Sequence, residues 1–497
     1  MFYGAIMLTG ANLLLRLVGM GFQVYLSSRT GAAGIGLLQL VLAVTGLFFT
    51  LGSAGIRTCS MYLTAEELGR KRLQGVRAVL TGCSRYSLVC SAAMGILLWH
   101  FAPLLSVRWI GDLAAAPSLR LYALSLPVRC MEGVLTGFFT AANRIRALVA
   151  VQFLEQGCAI AVTSLLLARW AGTDAGRSCL AVTAGSCGAA VLSLLALAML
   201  CRGKASSAGK VRQRPPYGRI FPIALPLAVA DGLRSGLGAV EHLIIPKRLS
   251  LFAGTVNALA DYGVIHGMVF PVLMFPAAIL FSLSELLVPE LSRCAAVGSR
   301  ERVRYLARRS LRLALLFGLA AGGVLFAGAE ALGELLFHEP MAGTYLRLYA
   351  PFVPMLYLDA VVDAMCKGLG QQKASARYNV LTTFLDVAFL WLLLPRFGLA
   401  GYYFSFAVTH LVNFALSLRR LTIASGTRPA WSDALRASLC AVFACAVTAL
   451  LPPRAGLTGI LLPGSFCLVL LCLTWGLLRV VSGEDLMWLK KLAVGRR

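Results

Sequence analysis

Apolar runs of roughly twenty residues recur from one end of the chain to the other, separated by short polar and basic segments. Each run is long enough, as a helix, to cross a hydrocarbon core of about 30 Å. Fourteen such spans are predicted, near 4–27, 35–56, 79–101, 119–142, 148–169, 178–201, 219–244, 261–289, 308–329, 343–366, 376–395, 399–421, 434–451 and 457–479. The runs are continuous and rich in Leu, Ala and Gly, without the strict alternation of a membrane β-barrel. The expected fold is therefore an all-α polytopic membrane protein with about fourteen transmembrane helices. The first span starts almost at Met1 and lacks a convincing cleavage site, so it is expected to be a retained helix. Composition agrees. Of 497 residues, 59% are hydrophobic and 13% charged, against about 25% charged in soluble proteins. Mean hydropathy is +0.79. The fourteen cysteines fall mostly inside spans and show no metal-ligand spacing, so they are expected to act as small apolar residues, with no disulfide framework.

A net charge of +25 raises the question of nucleic acid, but the distribution answers it. With the N-terminus inside, the inner connections hold most of the basic residues. Arg57, Arg70, Lys71, Arg72 and Arg77 sit in the first, Arg300, Arg302, Arg304, Arg308, Arg309 and Arg312 about the fourth, and Lys490, Lys491, Arg496 and Arg497 in the tail. The outer connections hold one or two each, such as Arg29, Arg169 and Lys247. This asymmetry places both termini in the cytoplasm and suits anionic lipid of the inner leaflet as a partner. No RNA-reading motif accompanies it, and no nucleic-acid partner is expected.

The pentapeptide Leu-Arg-Leu-Tyr-Ala occurs twice, at Leu119–Ala123 and Leu346–Ala350. Pro127 and Pro354, then Glu132 and Asp359, follow at the same spacing, so all three matches share an offset of 227 residues. The inner loops Ala65–Arg72 and Ala295–Arg302 echo each other, and Asn12 with Arg16 align loosely with Asp231 and Arg234. A duplicated unit with an even number of helices re-enters the membrane in the same sense, with the substrate path where the halves meet. The expected organisation is a six-helix lobe at 1–201, a basic cytoplasmic linker at 202–218, a second six-helix lobe at 219–424, and two additional helices with a cytoplasmic tail at 425–497.

Charges deep in spans are costly, at least about 2.5–3.5 kcal/mol each, and mark pathways by default. Arg16 and Arg234 lie mid-span at matching places, and Asp231 precedes Arg234 by three residues, on the same helical face. Guanidinium groups bind phosphate oxygens bidentately and stay charged at physiological pH, so two facing a shared chamber would hold a pyrophosphate. Arg129 with Glu132 reads as a structural pair, Glu155 and Asp386 as groups that satisfy helix ends or nearby Arg, and His242, His266 and His410 as interior residues. Pro222 and Pro226, then Gly263, Gly267, Pro271 and Pro276, mark kinked helices. No nucleophile–base set, phosphate-cradling glycine loop or metal cluster stands out, so neither an enzyme nor a cofactor is expected.

The segments Ile223–Pro226 through Arg234, Ile245–Leu249, Tyr262-Gly263, Gly267-Met268, Phe275-Pro276 and Pro289–Leu291, with Gly34–Leu40 and Leu51–Ile56, resemble the stage V sporulation protein B family of polysaccharide-biosynthesis flippases, within the MATE-like MOP superfamily. The resemblance covers nearly the whole chain. It implies two six-helix lobes forming a V, two extra helices, and alternating access. It implies an undecaprenyl-pyrophosphate-linked oligosaccharide as substrate, foremost the peptidoglycan precursor lipid II, moved across the bacterial cytoplasmic membrane, with a role in spore cortex synthesis. It further implies that Arg16 and Arg234 line the cavity. Arg57, at the inner mouth, joins them as a substrate-binding candidate beside Asn12 and Asp231, and the prenyl tail is placed along 434–451 and 457–479. The chain departs from the family at Arg57, where proline is frequent, and at Thr136–Ala141, where a cavity arginine is absent. Two other readings stay open. One is a cation-coupled multidrug exporter of the same fold, with Asp261, Asp359 or Glu241 coupling the ion. The other is a non-transporting scaffold that recruits cell-wall synthesis enzymes.

Overall fold

The computed structural model describes residues 2–170, 174–205, 216–427, 431–452, 456–478 and 480, without the side chains of 2–9, Asn12, Leu73, 202–205, Glu285 and Leu286. Most of the expected linker and the basic tail lie outside the described residues. Among those described, the secondary structure is helical and no strand occurs.

Helix α1 runs over Phe2–Ser53 and α2 over Ile56–Gly69. The break expected between the first two spans is a kink at Gly31, whose φ of 69° and ψ of 176° leave the helical region inside α1. Glycine enters that region without a Cβ penalty. Gly55, also at φ 69°, separates α1 from α2. Next come α3 (Leu73–Leu105), α4 (Ala116–Ala141), α5 (Ile145–Arg169), α6 (Ala175–Ala205), α7 (Tyr217–Leu249) and the short α8 (Ala258–Gly263). The remaining helices are α9 (Phe270–Met274), α10 (Ala277–Ala296), α11 (Arg300–Ala327), α12 (Ala329–Phe337), α13 (Pro340–Tyr349), α14 (Val353–Gly368), α15 (Gln372–Phe397), α16 (Leu399–Ser425), α17 (Trp431–Thr448) and α18 (Gly456–Leu477).

Eleven helices among the described residues are long and apolar enough to cross a membrane, or twelve if the bent pair Ala258–Met274 and Ala277–Ala296 is one span. The expected fourteen is not reached, for two physical reasons. The first two spans run together in one apolar stretch, Leu13–Gly69. Helix α4, the expected fourth span, carries Arg120, Arg129 and Glu132 and is not among the eleven.

The 227-residue offset survives as architecture. Helix α2 ends at Gly69 and α10 at Ala296; α3 starts at Leu73 and α11 at Arg300; α4 ends at Ala141 and α14 at Gly368; α5 starts at Ile145 and α15 at Gln372. Packing repeats as well. A Cβ on Gly95 of α3 would stand 2.8 Å from the Ala123 carbonyl oxygen of α4, and one on Gly322 of α11 would stand 3.1 Å from the Ala350 carbonyl oxygen. Each glycine lets a neighbouring backbone approach closely, the commonest device for joining helices in lipid.

A third glycine pair is reciprocal. A Cβ on Gly36 of α1 would meet the Leu259 carbonyl oxygen of α8 at 2.2 Å, and one on Gly263 of α8 would meet the Ala32 carbonyl oxygen of α1 at 2.1 Å. Gly36 and Gly263 are one repeat apart, as are Ala32 and Leu259. The two helices therefore exchange equivalent contacts, as an isologous twofold crossing does.

The chain folds as two compact units, Met1–Gly263 with Val387–Tyr402, and Val264–Asp386 with Tyr403–Arg497. In the first, Ile56, Cys59 and Leu63 of α2 pack with Val79, Cys83, Val134, Ile220 and Ala224, which joins α2 to α3, α4 and α7. In the second, α11 packs against α17 and α18 through Leu319, Ala437, Cys440, Ala441, Ala444, Cys467 and Leu471.

Candidate functional site

The first unit contains an open cavity of about 760 Å³ lined by α1, α2, α4, α5, α6 and α7. Its charged lining residues are Arg57, Arg129, Glu132, Glu155, Asp231 and Arg234. Phe49, Thr50, Thr58, Gln152, Ser193 and Ser235 are among the others. A volume of this size lies in the ordinary range for small-molecule sites.

Local sequence explains how each charge arrives there. Gly55, in the left-handed region, interrupts the helix between α1 and α2, and α2 begins with Ile56 fully buried and Arg57 exposed in the cavity lining. Two glycines of α4 then admit α2. A Cβ on Gly137 would stand 2.5 Å from the Arg57 carbonyl oxygen, and one on Gly133 would stand 3.9 Å from the Arg57 Cβ. The Arg57 guanidinium lines the cavity and makes no hydrogen bond or ion pair among the described residues. On α7, Asp231 and Arg234 stand one helical turn apart at 3.8 Å, with side chains 49% and 75% exposed. This is a loose, wet pair of small net strength.

Arg129 and Glu132 of α4, expected to neutralise each other, do not ion-pair. The Arg129 guanidinium donates to Ser186 Oγ of α6 and lies 5.0 Å from the Tyr122 ring centroid. The Glu132 carboxylate accepts from Ser193 Oγ of α6 at 2.6 Å. Glu155 of α5, expected at a helix end or beside an arginine, instead lies within hydrogen-bonding reach of Glu132. Gln152, one turn before it, keeps a buried Oε1 with no partner. Sequence reasoning did not single out Gln152, Ser193 or the Glu132–Glu155 approach. The signal present was spacing, since Arg129/Glu132, Gln152/Glu155 and Asp231/Arg234 are each i, i+3.

Of the other sequence candidates, Arg16 is exposed on α1 and is not among the residues lining this cavity. The side chain of Asn12 lies outside the described residues. Glu241 of α7 and Asp261 of α8 are not in the lining either. Near them, the hydroxyl of Tyr262 and Nδ1 of His242 are 3.0 Å apart. Asp359, of α14, belongs to the second unit, where its Oδ2 accepts from Asn413 Nδ2 at 3.1 Å. Thr382 Oγ1 is 3.5 Å from Asn413 Oδ1. These positions are repeat counterparts of the cavity: Glu132 corresponds to Asp359, Glu155 to Thr382, and Ser186 to Asn413. Among the described residues no group of three or more His, Cys, Asp or Glu is placed to hold a metal ion.

Residues 2–227 match the family model of polysaccharide biosynthesis proteins, and residues 256–392 match the MatE family model. The chain is 23% identical over 414 residues to stage V sporulation protein B of Bacillus subtilis (strain 168), covering 80% of this chain and 79% of that one. The fold matches the lipid II flippase MurJ in an inward closed conformation, with a TM-score of 0.73 and 12% identity, over 97% of this chain and 100% of that one. It also matches an inward-facing multidrug resistance MATE transporter of the MOP superfamily, with a TM-score of 0.67 and 14% identity, over 83% and 96% of the two chains. Its fold is that of solved transporters of the MOP superfamily. The apolar helices make this a multi-pass membrane protein, with the fold of the solved transporters it matches.

Proposed function

We propose that this protein is a MOP-superfamily transporter that moves an undecaprenyl-pyrophosphate-linked oligosaccharide, foremost lipid II, across the bacterial cytoplasmic membrane by alternating access. The observation that carries the proposal is the cavity guanidinium of Arg57, unpaired among the described residues, with Arg234 beside only a loosely held carboxylate. An uncompensated charge in a membrane-spanning bundle is retained at a cost and suits a ligand of opposite sign. In a site of lowered dielectric, two such groups would grip a pyrophosphate far more firmly than in water. The relatives' names support this substrate class: one is a sporulation protein and another a lipid II flippase. Two six-helix lobes at 1–201 and 219–424, cytoplasmic termini, anionic lipid held by the inner basic loops, and a prenyl tail along α17 and α18 complete the proposal. Recruitment of wall-synthesis enzymes would be an additional role of the same loops.

The test is flipping of purified lipid II in proteoliposomes. Arg57→Ala and Arg234→Ala, at normal incorporation, should each cut the rate about tenfold or more, the worth of one charge-assisted contact. Arg16→Ala in the same assay decides whether that residue belongs with them. Wild-type rates in both Arg57→Ala and Arg234→Ala would end the proposal. The MatE match over 256–392 and the three cavity carboxylates favour one second reading, a cation-coupled exporter. Proton- or sodium-driven dye efflux with no response to lipid II would establish that instead.

A further inference from the structure

The cavity that receives the pyrophosphate in the proposal above is not simply basic. Three arginines and three carboxylates line it, and the only ion pair among these six within the described residues is Asp231 with Arg234 at 3.8 Å. Glu132 and Glu155 come from different helices, α4 and α5, and lie within hydrogen-bonding reach of each other. Ser193 of α6 donates to Glu132. Arg129, one turn away on α4, is turned to Ser186 and Tyr122. Two acidic groups therefore face each other without an ion pair, Arg129 attracting Glu132 only from longer range, an arrangement that like charge disfavours.

The repeat shows that the fold does not need this arrangement. In the second unit the counterpart of Glu132 is again a carboxylate, Asp359, whose Oδ2 accepts from Asn413 while its Oδ1 stays buried without a partner. The counterpart of Glu155 is Thr382, close to the same Asn413. The same helices thus pack with a threonine where the first unit has a second carboxylate. Helix packing accounts for one acid at this register and leaves Glu155 to be explained by something the cavity takes in.

A purely anionic ligand meets Arg57 and Arg234 favourably but Glu132 and Glu155 unfavourably. A purely cationic one reverses the mismatch. A ligand with both charges satisfies both walls, since an ammonium has three donors and two carboxylates accept them at once. We infer that the transported lipid-linked saccharide carries a free amino group, on an amino sugar or an attached peptide, and that Glu132 and Glu155 hold its ammonium while Arg57 and Arg234 hold its pyrophosphate. This inference rests on the pyrophosphate reading of the same cavity and names the second half of the ligand.

Equilibrium binding to the purified full-length protein tests it with three probes: undecaprenyl pyrophosphate alone, the same carrier bearing a disaccharide-peptide with a free side-chain amine, and that compound with the amine acetylated. Two variants accompany the wild type. Glu155→Thr installs the residue that the chain itself uses at the repeat position, which guards against misfolding, and Glu132→Gln keeps shape while removing charge; unchanged thermal stability confirms both. Acetylation should weaken binding to the wild type about tenfold or more. Glu155→Thr and Glu132→Gln should shrink that gap, leaving the acetylated and bare carriers bound no more weakly than before. Equal affinity of the amine and acetylated probes for the wild type would overturn the inference. So would a pair that only binds a proton, seen as variants that abolish a pH dependence of binding without touching the amine preference. Failure of undecaprenyl pyrophosphate itself to bind would instead bring down the pyrophosphate reading, and the amine inference with it.

Discussion

The reciprocal crossing of α1 and α8 makes a prediction that needs no knowledge of substrate. A methyl group added at Gly36 would stand 2.2 Å from the Leu259 carbonyl oxygen, and one at Gly263 would stand 2.1 Å from the Ala32 carbonyl oxygen, where ordinary contact begins at 3.4 Å. Both obstacles are backbone, so no side chain can swing away and the helices must part by about an ångström. Overpacking of this kind costs about 1–3 kcal/mol. Gly36→Ala and Gly263→Ala should therefore lower stability by that amount each and by closely similar amounts, because the contacts are equivalent. The double variant should cost clearly less than the two singles together. Once one methyl has pushed the helices apart, the second finds room, and a coupling of about 1 kcal/mol is expected for groups sharing one contact. Unfolding of the purified protein, followed by intrinsic fluorescence against temperature and denaturant, measures all three. Unchanged stability in either single variant, or strict additivity in the double, would refute the crossing.

Other outcomes follow from single contacts. Gly137→Ala places a Cβ 2.5 Å from the Arg57 carbonyl oxygen; it should cost about 1–3 kcal/mol and reduce the proposed lipid II flipping by displacing Arg57, read in the proteoliposome assay. Asp386 is 7% exposed and accepts from Ser405 Oγ at 2.5 Å and Thr409 Oγ1 at 3.2 Å. Ser405→Ala should cost about 1–2 kcal/mol in denaturant unfolding, with little added loss when Asp386 is also made Ala. The Arg248 guanidinium sits 3.3 Å from the Trp391 ring centroid. Arg248→Lys should lose about 0.5–1 kcal/mol, since a planar cation stacks where an ammonium does not, and a double-mutant cycle with Trp391→Leu should isolate that coupling.

Much of the fold was legible because each span writes itself as an uninterrupted apolar run and because a duplication leaves matched words at a constant distance. Leu119–Ala123 and Leu346–Ala350 carried the offset that the helix ends and the Gly95 and Gly322 contacts obey. The number of spans was less legible. Hydropathy does not say whether Gly31 stops a helix or only bends it, and here it bends it. The site was legible in part. Position along a span gives depth but not direction, since each residue turns the side chain by about 100°. Arg57, Asp231 and Arg234 came together in one cavity, whereas Arg16, mid-span like Arg234, is not in its lining. Spacing placed Arg129 and Glu132 on one face and suggested a pair. The sequence could not reveal that Ser186 and Ser193 of α6 would take their hydrogen bonds, because those partners lie some sixty residues away.

Carrying two copies of one scaffold also gives the chain an internal library of tolerated substitutions. Where the copies agree, as with the carboxylates at 132 and 359, the shared chemistry belongs to the common frame; where they diverge, as with Glu155 and Thr382, specialisation has been written onto it. Exchanging residues between sibling positions is therefore a gentler instrument than alanine scanning, because each transplant has already been accommodated once in the same molecule.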